Sequence, residues 1–247
     1  AVSNSASQRL GYRFAIKKYQ SNGYMDNLYL GRDDTNNLNE TSLRGKVVFQ
    51  PTEQVTFISH LFLTDIDNGY DAFSLDSNRN TYSDKPGHDK QETQAASFNI
   101  DWQVNSSMHL ESIISFADSD LEYGYDEDWS YPGICDNTDC DSDLWGYDWW
   151  YASFDNFTRN NKNQSVDVRL HSNSEQTTLN WIIGFYYRNQ TMDLLREYTY
   201  LDNHFNSQFD TANTAVYGQI TSSLSNRLSV TAGLRFENRD ANYADSN

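Results

Sequence analysis

The stretch Leu179-Asn-Trp-Ile-Ile-Gly-Phe-Tyr-Tyr187 decides the fold. Leu179, Trp181, Ile183, Phe185 and Tyr187 recur with period two, which places them on one face of a β-strand. The same alternation returns along the chain. Upstream it groups Leu10, Tyr12, Phe14 and Ile16; then Leu43, Val47 and Phe49; then Val55, Phe57, Leu61 and Leu63. It continues in Ala96, Phe98, Ile100 and Trp102, in Leu110, Ile114 and Phe116, and in Val166, Val168 and Leu170. Downstream it gives Val216, Ile220 and Leu224, then Leu228, Val230, Ala232, Leu234 and Phe236. Polar residues fill the alternate positions, among them Arg44, Asp101, Asp167, Arg169, Gln219, Arg235 and Glu237. The reading is nine half-buried strands, each close to the ~9–11 residues that cross a bilayer when tilted.

The connections sharpen this into an architecture. Residues 51–54, 104–108, 172–177 and 225–227 are short polar turns, whereas 17–39, 65–92, 117–162 and 189–211 are long. Short and long alternate without exception. A soluble sandwich has no reason to gather every long connection at one end, but an outer-membrane barrel has short periplasmic turns and long extracellular loops. The expected fold is therefore all-β: an antiparallel transmembrane β-barrel segment of about nine meander strands. Bacterial barrels have an even strand number. The expectation is that residues 1–247 form part of a larger barrel domain, a complete barrel of eight or ten strands being the alternative.

Composition removes the other classes. The 247 residues carry 18 Lys+Arg against 35 Asp+Glu, a formal net charge of -17, which repels nucleic acid. Aromatics reach 15%, too many for simple disorder. No stretch approaches the ~20 apolar residues of a membrane-spanning helix. The mean hydropathy of -0.79 is compatible with a membrane barrel, because only every second strand residue meets lipid.

Several segments resemble one family. Thr-Ser-Leu-Arg-Gly-Lys-Val-Val-Phe-Gln-Pro-Thr (41–52) is similar to a strand-and-turn of TonB-dependent outer-membrane receptors. The segments 68–76 and 83–91 look like one of that family's loops. Gln-Ser-Val-Asp-Val-Arg-Leu (164–170) with Trp-Ile-Ile-Gly-Phe-Tyr-Tyr (181–187) resembles a hairpin of the same family, with Asp167 where Glu is usual. Ala-Val-Tyr-Gly-Gln-Ile (215–220) with Leu-Ser-Val-Thr-Ala-Gly-Leu-Arg-Phe-Glu (228–237) resembles its next hairpin, the most specific part of the match. The resemblance covers the middle of the barrel domain, with neither the plug domain nor the C-terminal closing strand in view. It implies a barrel of about 22 strands in the outer membrane of a Gram-negative bacterium. It also implies capture of a scarce ligand outside the cell and import driven through a TonB-type partner that engages the plug. Ligands of the family include ferric siderophores, haem, cobalamin and oligosaccharides. Independently of the family, Gly45, Gly184, Gly218 and Gly233 lie inside strands, where glycine is unfavourable unless the sheet bends or a neighbour packs close.

No enzymatic signature is present: neither a nucleophile elbow, nor a zincin helix motif, nor a P-loop. The five histidines, His60, His88, His109, His171 and His204, lie far apart with no ligand spacing. The informative stretch for function is 118–155, with twelve acidic residues and no Lys or Arg. Trp129, Trp145, Trp149 and Trp150, with Tyr125 and Tyr147, are the candidate ligand-binding residues, since indole and phenol faces stack on sugar rings or on aromatic chelators. Asp139, Asp141 and Asp143 have the spacing that opens an EF-hand loop. Leu144 replaces its turn glycine and Trp150 its bidentate Glu, so any calcium site would be irregular. Calcium is the one cofactor entertained. Cys135 and Cys140 enclose Asp-Asn-Thr-Asp, a turn-forming tetrapeptide, and are expected to form a local disulfide.

Three functions compete at this stage. An active-transport receptor leads; a passive porin, and a surface carbohydrate-binding β-protein, are the alternatives. The expected partners are a TonB-type protein, a small-molecule ligand and outer-membrane lipid, with no nucleic acid.

Overall fold

The computed structural model describes residues 1–137, 151–173, 179–225 and 227–246. In chain order the elements are β1 (Val2–Ser7), β2 (Leu10–Ser21), β3 (Asp26–Asn27), β4 (Leu38–Thr52), β5 (Val55–Tyr70), β6 (Asn80–Thr81), β7 (Gly87–Asn105) and β8 (Met108–Asp126). A single helical turn, α1 (Ile134–Asn137), precedes β9 (Phe154–Ser172), β10 (Leu179–Tyr198), β11 (Phe205–Ser225) and β12 (Leu228–Asp245). Ten strands form one sheet in the order β1-β2-β4-β5-β7-β8-β9-β10-β11-β12, every pair antiparallel. This is the nearest-neighbour meander that the alternating connections require. The sheet runs open from β1 to β12, and β3 and β6 form a separate two-residue parallel pair.

The nine expected strands are all present. The sheet has a tenth, β1, whose sequence Val-Ser-Asn-Ser-Ala-Ser holds one large apolar residue and so gives no alternation. It is joined by its ladder to β2 alone. The strands are also longer than expected, 12 residues in β2 and up to 21 in β11. The ladders run on past the apolar belt, with polar side chains bridging neighbouring strands. Asn160 donates to Asp118 and Asp120 at 3.1 and 2.6 Å, and Arg188 Nε donates to Asn163 at 3.2 Å. The long connections accordingly shrink to 22–37, 71–86, 127–153 and 199–204. The last of these is a tight connection, not the long loop read from 189–211.

Register lines up the two faces across strands. One row runs Val55, Trp102, Leu110, Leu170, Ile183, Gly218 and Leu234. The row beside it runs Asp101, Glu111, Arg169, Gly184, Tyr217 and Arg235. The apolar stripes thus merge into a single continuous face, and the charges into the opposite one. Ile183 is 54% exposed and Leu234 73%, on a face too large and apolar to stand in water. No helix among the described residues is long and apolar enough to cross a membrane.

Gly184 shows what an in-strand glycine does here. A Cβ built there would lie 2.2 Å from Cζ of Tyr217, so only glycine lets the Tyr217 ring lie across β10. The ring then carries its hydroxyl to Asp167 Oδ1, 3.2 Å away, and accepts from Arg169 Nε at 3.1 Å. Arg169 also donates to both Asp167 oxygens, and Arg235 lies over the Tyr217 and Tyr186 rings. Residues from both resembling hairpins therefore meet in one cluster on the charged face.

Candidate functional site

Dry packing is concentrated at the long-connection end. The largest fully buried side chains among the described residues, including Ile134, Asn27, Thr81, Asp128 and Ser153, belong to the loops there. Connection 22–37 is pinned to 71–86 by β3 and β6, and by Asn27. Its side-chain amide donates to Asp71 Oδ2 at 3.0 Å and to the Ser83 carbonyl at 2.8 Å. Thr81 donates to the other oxygen of Asp71 at 3.1 Å, and Asn27 Oδ1 accepts from the Leu30 amide. A buried amide and carboxylate so fully paired hold two loops in one arrangement.

The third connection is fastened to this pair. Asp84 N donates to the Ser130 carbonyl at 3.0 Å. The Trp129 indole stacks on Phe73 at 4.8 Å, and Tyr131 on Tyr29 at 4.2 Å. Trp129 holds φ at 58°, a left-handed conformation uncommon outside glycine. Asp128, fully buried, accepts from Ser130 N at 3.1 Å with one oxygen and from Ser153 N at 2.6 Å with the other. It therefore ties the start of the connection to its end. Asp126 beside it is 5% exposed, and burial, with the charges of Asp128 and Asp84, pushes its carboxyl up to about 7. Asp84 is raised too, by burial and by Asp128.

Below this cap, register places Tyr125, Asp155 and Tyr198 in one row on the charged face, with Tyr123, Phe157 and Arg196 in the next. Arg196 grips Asp155 through two donors at 2.9 and 2.6 Å and lies over the Phe157 and Tyr198 rings at 5.2 Å. Tyr198 donates to Glu127 at 2.7 Å, and Tyr125 reaches Asp155 at 3.5 Å. Tyr70 and Tyr123 meet edge to face at 5.0 Å. The result is a wall of aromatic faces with the Arg196 guanidinium, and that of Arg159 over Phe157 at 5.8 Å, able to stack on flat groups and donate to oxygens.

Of the candidate binding residues, Tyr125 lies in this wall and Trp129 in the cap above it. Trp145, Tyr147, Trp149 and Trp150 lie outside the described residues, as do Asp139, Asp141, Asp143 and Cys140. Cys135, in α1, is disulfide-bonded.

No protein-family model matches the sequence, and no curated protein matches it either. Solved structures match it over nearly its whole length. The ferric yersiniabactin uptake receptor FyuA from Yersinia pestis covers 99% of this chain at TM-score 0.69 and 13% identity. The ferric citrate transporter FecA covers 99% at 0.70 and 14%, and the outer membrane transporter YddB from Escherichia coli covers 99% at 0.58 and 12%. The fold is that of the barrel of TonB-dependent outer-membrane receptors. The chain spans 39% of the length of FyuA and 34% of FecA and YddB.

In this receptor-barrel fold, some of the residues missed from sequence lie in polar strand extensions and others in the buried loops. Arg196 and Tyr198 fall in 189–211, read as loop, because Leu194-Leu195-Arg196-Glu197 shows no alternation of apolar and polar residues. Tyr70 and Phe73 fall in the loop-like segment 68–76, but nothing local marks them as neighbours of Tyr123 and Trp129. The histidines correct the sequence reading as well: register sets His109 directly opposite His171, with ring centroids 4.9 Å apart.

Proposed function

We propose that the chain is part of the wall of an outer-membrane active-transport receptor in a Gram-negative bacterium. It helps capture a scarce extracellular ligand, a ferric siderophore or similar chelate or an oligosaccharide, for import with energy from a TonB-type partner. The observation that carries this reading is the ten-strand meander with its apolar face continuous and its built loops all at one end, in a fold shared with ferric-chelate receptors. The role is binding and transport, not catalysis. The ligand end is the cap and wall around Trp129, Tyr125, Tyr198 and Arg196, continued by the Trp-rich part of 118–155. The segment 118–155 has twelve carboxylates and no Lys or Arg of its own. Apart from Asp155, held by Arg196, and Glu122, beside His88, they repel one another, so cations are expected to settle it, with calcium bridging Asp139, Asp141 and Asp143. The same charge favours a neutral glycan or a metal-bridged chelate over a free anion. The test is deletion of residues 134–147 in the full-length protein. Binding of candidate ferric chelates and glycans is measured with and without calcium, beside growth of a deletion strain on the same compounds. Loss of binding and calcium dependence supports the reading; unchanged affinity places recognition elsewhere, and unchanged growth on every compound argues against a receptor.

A further inference from the structure

We propose a divalent transition-metal site on the charged face near its short-turn end, formed by His109, Glu111 and His171. It rests on side-chain placement alone and does not depend on the receptor reading. His109 and Glu111 are two residues apart on β8, so they share a face, and the register of β8 with β9 sets His171 across from His109. One ligand atom from each of the three comes within 4.8 Å of the others, so that modest side-chain closure brings all three onto one ion. Two imidazoles and a carboxylate are a donor set for Zn²⁺, Ni²⁺ or Cu²⁺ rather than for calcium or magnesium, which take all-oxygen shells.

The surroundings favour a cation. His171 Nδ1 lies 3.2 Å from the Ser172 carbonyl, which fixes the ring with Nδ1 as donor and leaves the Nε2 lone pair free, 3.7 Å from Glu111 Oε1. Asp101 Oδ1, 3.3 Å from His109 Nε2, holds the second ring and adds a negative charge. Among the described residues lining the same cavity, Arg169 is the one Lys or Arg, and its charge is committed to Asp167 at 2.6 Å. The two rings lie side by side, with centroids 4.9 Å apart and planes 29° from parallel, so both imidazoles present themselves to one small volume. The cavity, about 370 Å³, gives an ion room for further ligands from the barrel interior.

The experiment titrates chelator-stripped, full-length protein in detergent with Zn²⁺, and with Co²⁺ read by its visible d–d absorption. The proposal expects wild type to bind one equivalent more than the His109→Gln/His171→Gln double variant, and each single variant to weaken that site by about 100-fold or more. His60→Gln should change nothing. Equal stoichiometry and affinity in wild type and double variant would overturn it. Should the variants fail to fold, as judged by heat-modifiable migration, wild type is carbethoxylated with and without Zn²⁺ and its histidines are read by mass spectrometry. Protection of His109 and His171 but not of His60 supports the site, and equal modification refutes it.

Discussion

Replacing Gly184 by Ala should be damaging through one neighbour, the Tyr217 ring. The new Cβ would meet Tyr217 at 2.2 Å from Cζ, 2.5 Å from the hydroxyl and 2.6 Å from Cε2. Carbon atoms rest about 3.5–4.0 Å apart, so the ring tip must retreat by more than about 1 Å. That retreat gives up the bonds to Asp167 Oδ1 and from Arg169 Nε, now 3.2 and 3.1 Å. Hydrogen bonds to charged groups contribute about 1.5 kcal/mol each at the low end, which suits this half-exposed site. The expected cost of Gly184→Ala is therefore about 3 kcal/mol, and of Tyr217→Phe, which keeps the ring, about 2–3 kcal/mol. In a Tyr217→Ala background the three closest contacts of the added methyl are gone, and relief of glycine's backbone entropy should make Gly184→Ala near neutral or stabilising by about 0.5 kcal/mol. The cycle is measured by denaturant unfolding of the full-length protein in lipid vesicles, followed by tryptophan fluorescence. Additive costs, with Gly184→Ala equally harmful whether or not Tyr217 is present, would refute the argument.

Other expectations follow from the two faces and the cap. Ile183→Arg, on the apolar face, should cost about 2–4 kcal/mol if near the bilayer midplane, whereas Gln219→Arg on the charged face should be mild; equal small effects in vesicle unfolding would contradict the assignment of faces. Asp128→Ala leaves the buried amides of Ser130 and Ser153 without their acceptor, so the 127–153 connection should open more readily by about 3 kcal/mol, read as a roughly 100-fold rise in proteolysis there. Asp126 is held at about 7 in the fold against an ordinary value near 3.8, so the folded cap keeps a proton that the opened cap releases between those values. The opening free energy should thus be greatest below about pH 4 and fall as pH rises to about 7, by at most about 1.4 kcal/mol per unit, then level off. Hydrogen exchange of residues 126–130 reads this, and Asp126→Asn should remove most of the slope, leaving the smaller part that the raised Asp84 contributes; a slope of the opposite sign would exclude burial as the cause.

What the sequence disclosed was what lipid imposes. Nine strands were legible because an apolar residue must stand at every second position facing hydrocarbon, as Leu179 to Tyr187 does. Strand β1 and the polar ends of β8 to β11 were illegible, since both of their faces meet polar surroundings and neither needs alternation. Arg196 and Tyr198 were lost with those ends. Asp167, Arg169, Arg235 and Glu237 were assigned to the correct face from alternation alone. That Gly184 exists for Tyr217 required the register, which no local pattern states. His109 and His171, far apart in the chain, became neighbours for the same reason. Asn27, Asp71 and Asp128 were invisible because buried polar residues in loops look in sequence like solvated ones.

The central claim is that one face of this sheet meets lipid and the other the barrel interior. Nitroxide labels placed singly at 181, 182, 183, 185, 186 and 187 of the full-length protein in bilayers test it most directly, by collision with oxygen and with a water-soluble nickel chelate. The account predicts high oxygen and low nickel accessibility at 183, 185 and 187, the reverse at 182 and 186, and the lipid phase again at 216 and 234, which share their face through the ladders. Nickel accessibility on both faces, or no alternation along β10, would contradict it.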